Sequence, residues 1–103
     1  MIDIKNKVEP EDLEKWFIQN PDKVYRRSVE TAEMLVNNKD SEQEILFEFY
    51  WDGSVYAQIY MNKKDVPKAM EKAINYFVEG EIYELAQEAK ILKDKFNNKE
   101  ENE

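Results

Sequence analysis

Residues 44–61, EILFEFYWDGSVYAQIYM, constrain the fold more than any other part of the chain, because two alternating apolar runs meet there at an Asp-Gly pair. A two-residue connection of this kind needs positive φ at both positions, which Asp52 and Gly53 accept. The pair therefore predicts a β-hairpin with strands over about 44–51 and 54–61. Simple antiparallel register sets Trp51 against Ser54, Phe49 against Tyr56, Phe47 against Gln58 and Ile45 against Tyr60, gathering five aromatic rings on one face. The opposite face carries Leu46, Tyr50, Val55, Ala57, Ile59 and Met61 around Glu48. Both faces are too apolar to remain wet, so each is expected to be covered.

Helical patterns flank the hairpin. Pro10 suits a first helical turn, Glu11, Asp12 and Glu14 follow, and Leu13, Trp16 and Phe17 share a face, which predicts a short helix over about 10–19. Asn20-Pro21-Asp22 ends it and starts another, with Asn20 as N-cap. Val24, Tyr25, Ser28, Val29, Ala32, Leu35 and Val36 recur at spacings of three and four, predicting a second helix to about Asn37. Alternation of Ala32, Met34 and Val36 leaves a strand over 28–37 as the competing reading. Beyond the hairpin, Asp65 can cap a helix running to Glu79, with Val66, Met70, Ala73, Ile74, Phe77 and Val78 as its apolar stripe. Ile82, Leu85, Ala86, Ala89, Leu92 and Phe96 continue that stripe, so Gly80 either ends one helix or bends a longer one. Ile2 and Ile4 alternate and offer the hairpin a third strand, which it needs, since a lone two-stranded ribbon is marginal.

The expected fold is thus α+β: a small antiparallel sheet built on the hairpin, packed with two N-terminal helices and one or two C-terminal helices. A length of 103 residues suits a single domain, expected over 1–97, with 98–103 a disordered acidic tail. No apolar run is long enough to cross a membrane and the N-terminus lacks the regions of a signal peptide, so a cytoplasmic location is expected.

Composition removes much chemistry. The chain contains no His and no Cys, which takes away the usual acid-base residue at neutral pH, thiolate ligands and Cys nucleophiles. Ser28, Ser41 and Ser54 therefore lack a His partner, and the two glycines belong to no phosphate-cradling loop. Glu79, Glu81, Glu84 and Glu88 are the one carboxylate series that could serve a hard cation, but as a set they read as a solvated helical face. Neither a metal, a cofactor nor catalysis is expected. Net charge is −8, and the only arginines are the adjacent Arg26 and Arg27, so direct nucleic-acid binding is not expected either. Arg26 is expected to pair with Glu30 one turn on.

What remains is an acidic chain with aromatic residues concentrated in its hairpin. Carboxylates can occupy positions on a Lys- and Arg-lined surface that phosphates normally fill, while Trp and Tyr supply anchors. The expected function is a non-enzymatic inhibitor that binds a basic, nucleic-acid-acting protein. The expected partner-contacting residues are Glu44, Phe47, Glu48, Phe49, Tyr50, Trp51, Asp52, Tyr56 and Tyr60. Usage rich in Lys, Asn, Glu and Ile resembles that of AT-rich bacterial or phage genomes. Small acidic phage inhibitors of host defence, of the anti-CRISPR and anti-restriction DNA-mimic types, have this general character, as do immunity proteins against nuclease toxins. The likeness is one of type, without a shared motif. The alternative is a self-associating accessory or structural protein whose hairpin closes against a second copy as a homodimer.

Overall fold

A computed structural model describes residues 2–101, and the side chains of residues 2–98. Its elements are β1 (Lys5–Lys7), a 3-10 turn at Pro10–Asp12, α1 (Leu13–Gln19), α2 (Pro21–Asn37), β2 (Gln43–Trp51), β3 (Ser54–Asn62), α3 (Val66–Glu79) and α4 (Tyr83–Glu101). The class is α+β, with four α-helices and a three-stranded sheet in the order β1-β2-β3. β2 and β3 form the antiparallel hairpin, whereas β1 runs parallel to β2, so the sheet is mixed instead of antiparallel throughout. Residues 28–37 are helical. In the expected tail, residues 98–101 belong to α4, while 102 and 103 lie outside the described residues.

The turn forms as its sequence dictates, with Asp52 at φ 50 and Gly53 at φ 79. Pairing of Trp51 with Ser54 and of Ile45 with Tyr60 agrees with simple register. Between these ends the expected pairs are replaced: Phe49 faces Ala57 and Phe47 faces Ile59. The cause is a pair of β-bulges, one leaving Leu46 as the extra residue of β2 and the other leaving Tyr56 as the extra residue of β3. Because side chains alternate with a period of two, each bulge exchanges the faces beyond it. Phe47, Phe49, Ala57 and Ile59 thereby meet on the side covered by helices. Ile45, Glu48, Tyr50, Val55, Gln58 and Tyr60 fall on the other side. None of the apolar members of that second set joins either buried cluster, so among the described residues only one of the two faces is covered.

Two hydrophobic clusters share the helical side. Trp16 and Phe17 of α1 close over Phe47 and Phe49, with Trp16 edge-on to both rings at centroid distances of 5.2 and 5.0 Å. The larger cluster joins Leu35 and Val36 of α2, Met70 and Phe77 of α3 and Ala89 and Leu92 of α4 around Met61 of β3. Leu46, turned inward at the bulge, touches both clusters.

Arg27, only 5% exposed, secures that bulge. Its Nε donates to the Leu46 carbonyl at 3.0 Å and its Nη2 to the Ile45 carbonyl at 2.8 Å. The bulge turns these acceptors out of the regular ladder, and buried carbonyls need donors. Its neighbour Arg26 pairs with Asp22 at 2.7 Å, one turn back, instead of with Glu30. Glu30 is used differently, accepting from the Ile2 amide at 3.0 Å and fastening the N-terminal segment to α2. Asn20 does not cap α2 through its side chain but donates to the Trp16 carbonyl at 2.8 Å, closing α1.

The apolar stripe after the hairpin divides into two helices. Ile82 N donates to Phe77 O at 2.7 Å and Glu81 N to Val78 O at 3.0 Å, the hydrogen-bond pair of a Schellman C-cap. Glu81, at φ 59, holds the left-handed position that usually belongs to glycine, while Gly80 precedes it at φ −84. A left-handed non-glycine residue is strained by about 1–2 kcal/mol.

Two substitutions test these devices with opposite sign. Arg27→Leu is expected to lower the unfolding free energy by roughly 3 kcal/mol, since it removes two charge-assisted hydrogen bonds and leaves two carbonyls under-satisfied. Urea denaturation measures this, and an unchanged midpoint would mean that the bulge carbonyls find other donors. Glu81→Gly should instead raise stability by up to about 1 kcal/mol, part of the relief being offset by the freer unfolded chain.

Candidate protein interface

The expected contact residues separate into three places. Phe47 and Phe49 are fully buried beneath α1 and are core residues, which removes them from any contact surface. Trp16 and Phe17 of α1 cause this correction by packing on both rings, while the bulges bring Ala57 and Ile59 beside them. Glu48, Tyr50 and Tyr60 lie on the uncovered sheet face, where the Tyr60 hydroxyl donates to Gln58 Oε1 and Gln58 Nε2 donates to Glu48 Oε1, each at 2.9 Å. Glu44 lies toward the start of β2 and accepts from the Ser41 hydroxyl at 2.7 Å. Trp51, Asp52 and Tyr56 gather at the turn end of the hairpin.

That turn end meets an acidic segment that local sequence patterns did not connect to it. Val8 N donates to Tyr50 O at 3.1 Å, carrying the chain out of β1 alongside the hairpin. The following Glu9, Glu11 and Asp12 consequently lie near the turn end. The Tyr56 hydroxyl donates to Val8 O at 2.6 Å. Burial raises the Tyr56 phenol above its ordinary value, and the nearby Asp12 carboxylate adds to the effect. Between these elements lies an open cleft of about 390 Å³, with Glu9, Asp12, Trp16 and Trp51 among its walls. Trp51 is 39% exposed and Tyr56 37%.

Basic residues are present as well. Lys7 Nζ stands 5.7 Å from the Trp51 ring centroid and Lys15 also lines the cleft, while β1 sets Lys5 beside Glu48. The hairpin is therefore less isolated in its acidity than residues 41–62 alone imply. Acid prevails where the segment turns. The neighbouring Glu11 carboxyl, first through hydrogen bonding to the protonated form and then through Coulomb repulsion, with smaller effects of desolvation and Asp12, raises the Glu9 carboxyl above its ordinary value of 4.5.

Among the described residues no group of three or more His, Cys, Asp or Glu side chains is placed to hold a metal ion. The turn at 80–82 puts Glu79 on α3, Glu81 in the connection and Glu84 and Glu88 on α4, which breaks up the carboxylate series. No described helix is long and apolar enough to cross a membrane. The chain matches no family model, no curated protein and no solved structure.

The raised Glu9 carboxyl makes a titration prediction. A carboxyl raised in the folded state binds its proton more tightly there than in the unfolded chain. Its stabilising contribution is complete below 4.5 and disappears as pH rises through the folded-state value. Glu11→Gln should return Glu9 toward its ordinary value, followed by NMR of the side-chain carboxyl carbon. An unmoved titration would place the cause elsewhere.

Proposed function

We propose that this chain is a non-enzymatic, acidic protein-binding inhibitor that occupies the basic surface of a nucleic-acid-acting protein. The observation that carries the reading is the open cleft at the turn end of the hairpin, where Glu9 and Asp12, with Glu11 between them in sequence, stand beside the part-exposed Trp51. Carboxylates forced together are relieved by an incoming cation, so a Lys or Arg cluster gains more there than at an isolated acid. Trp51 and Tyr56 supply ring surface beside those charges, and Asp52 adds a fourth carboxylate at the tip. The rest of the −8 net charge would steer a basic target toward this end. Phage anti-defence proteins of anti-CRISPR or anti-restriction type, and nuclease-toxin immunity proteins, act in this way within the cytoplasm.

A second reading, self-association as an accessory or structural protein, is favoured by a different observation: among the described residues β3 is an edge strand whose one strand neighbour is β2.

The basic-partner reading is tested by capturing bacterial lysate proteins on the immobilised chain at low and high salt, then measuring association with the captured species. Retention of a basic nucleic-acid enzyme at low salt and its release at high salt are expected. Trp51→Ala should weaken that complex by roughly 2 kcal/mol with melting nearly unchanged. Glu11→Lys should slow association. Association rates indifferent both to salt and to Glu11→Lys would remove the electrostatic basis of the reading.

A further inference from the structure

The two edges of the sheet are built differently. β1 is three residues long and carries Lys5 and Lys7, features that discourage pairing with another strand. β3 at the other edge is nine residues long and contains no charged residue and no proline. It lies within residues 53–62, the longest uncharged run of a chain in which 37% of residues are charged. Val55, on the outer face, is 51% exposed and Tyr60 is 45% exposed. Among the described residues, β3 has no strand neighbour besides β2.

We propose that β3 pairs antiparallel with β3 of a second copy across a two-fold axis at Gln58, joining two three-stranded sheets into one of six strands. Charge complementarity selects this occupant. Two chains of net charge −8 repel over most of their surfaces, and this strip lets them approach without opposing charges. The strip also ends in opposite signs, Asp52 before it and Lys63 and Lys64 after it. With Gln58 facing Gln58 and each Tyr56 left out of the new ladder, as it is against β2, Ile59 meets Ala57 and Tyr60 meets Val55 of the second copy. Asp52 then comes against the Lys63–Lys64 end at both extremities. Every facing pair lies on the same side of the sheet, as antiparallel pairing demands. The inference does not depend on the basic-partner reading, because it concerns the purified chain alone.

Light scattering of the full chain on a size-exclusion column over a range of concentrations, with hydrogen exchange of the β3 amides, tests this. A concentration-dependent dimer is expected. Gln58→Lys, which sets two ammonium groups together on the axis, should raise its dissociation constant by about tenfold or more and expose β3 amides to exchange, with unchanged circular dichroism. Lys64→Glu, placed against Asp52 at the ends, should weaken the dimer independently. A monomer at all concentrations would overturn the proposal, and so would a dimer indifferent to both substitutions.

Discussion

Arg27 reaches from the middle of α2 to the bulge at Leu46, where β2 carries an extra residue, and its two hydrogen bonds to Ile45 and Leu46 join helix and sheet. A β-bulge set against a helix turns carbonyls into a space that water does not readily fill, and such carbonyls need donors from elsewhere. The planar guanidinium supplies two donors in fixed geometry, which a lysine ammonium cannot reproduce. Thr31, fully buried one turn further along α2, returns its hydroxyl to the Arg27 carbonyl at 2.8 Å. The same helical stretch thus satisfies the bulge and contributes to the core.

The arrangement of the hydrophobic clusters follows from that bulge. With strict alternation, Leu46 and Phe47 would lie on opposite faces of β2. The extra residue turns both toward the helices, where Leu46 links the Trp16–Phe17 cluster to the cluster shared by α2, α3 and α4. Phe47 and Phe49 become the floor beneath α1, and Tyr60 is left on the uncovered face. The second bulge, at Tyr56, brings that ring to the side of β1, where its hydroxyl reaches Val8. One irregularity therefore builds the core, and the other helps to build the aromatic end of the hairpin.

Legibility in the sequence followed the range of the interactions. Asp52-Gly53, Pro21 and the stripes of three and four are local signals, and the turn, the start of α2 and the helical faces appear where they point. The bulges carry no comparable signal. No glycine marks them, and the donor that serves the first, Arg27, is nineteen residues distant from Leu46 in sequence, so simple alternation gave the wrong partners for Phe47 and Phe49. Gly80 ends α3 as its C-cap, one of the two roles its position allowed, but the left-handed residue that usually is a glycine is the following Glu81, which no local pattern marks. The acidic turn at 9–12 was visible as charge, but its neighbourhood with Trp51 depends on parallel pairing between β1 and β2, which links segments some forty residues apart.

Sequence patterning made both hairpin faces too apolar for water, but helices cover only one. The excess is now divided between an open face, on which Tyr60, Gln58 and Glu48 form a polar chain, and a long uncharged edge. The polar chain explains how part of that face can remain wet, because the Tyr60 hydroxyl and the Gln58 amide have partners while their apolar portions lie along the sheet. It does nothing for the edge, where backbone groups, not side chains, meet solvent. Lys5 and Lys7 show how this fold protects an edge when protection is what it needs, and β3 has no equivalent. The difference between the two edges is what the proposed pairing of β3 rests on, and it is independent of the proposed basic-partner site at the acidic turn end.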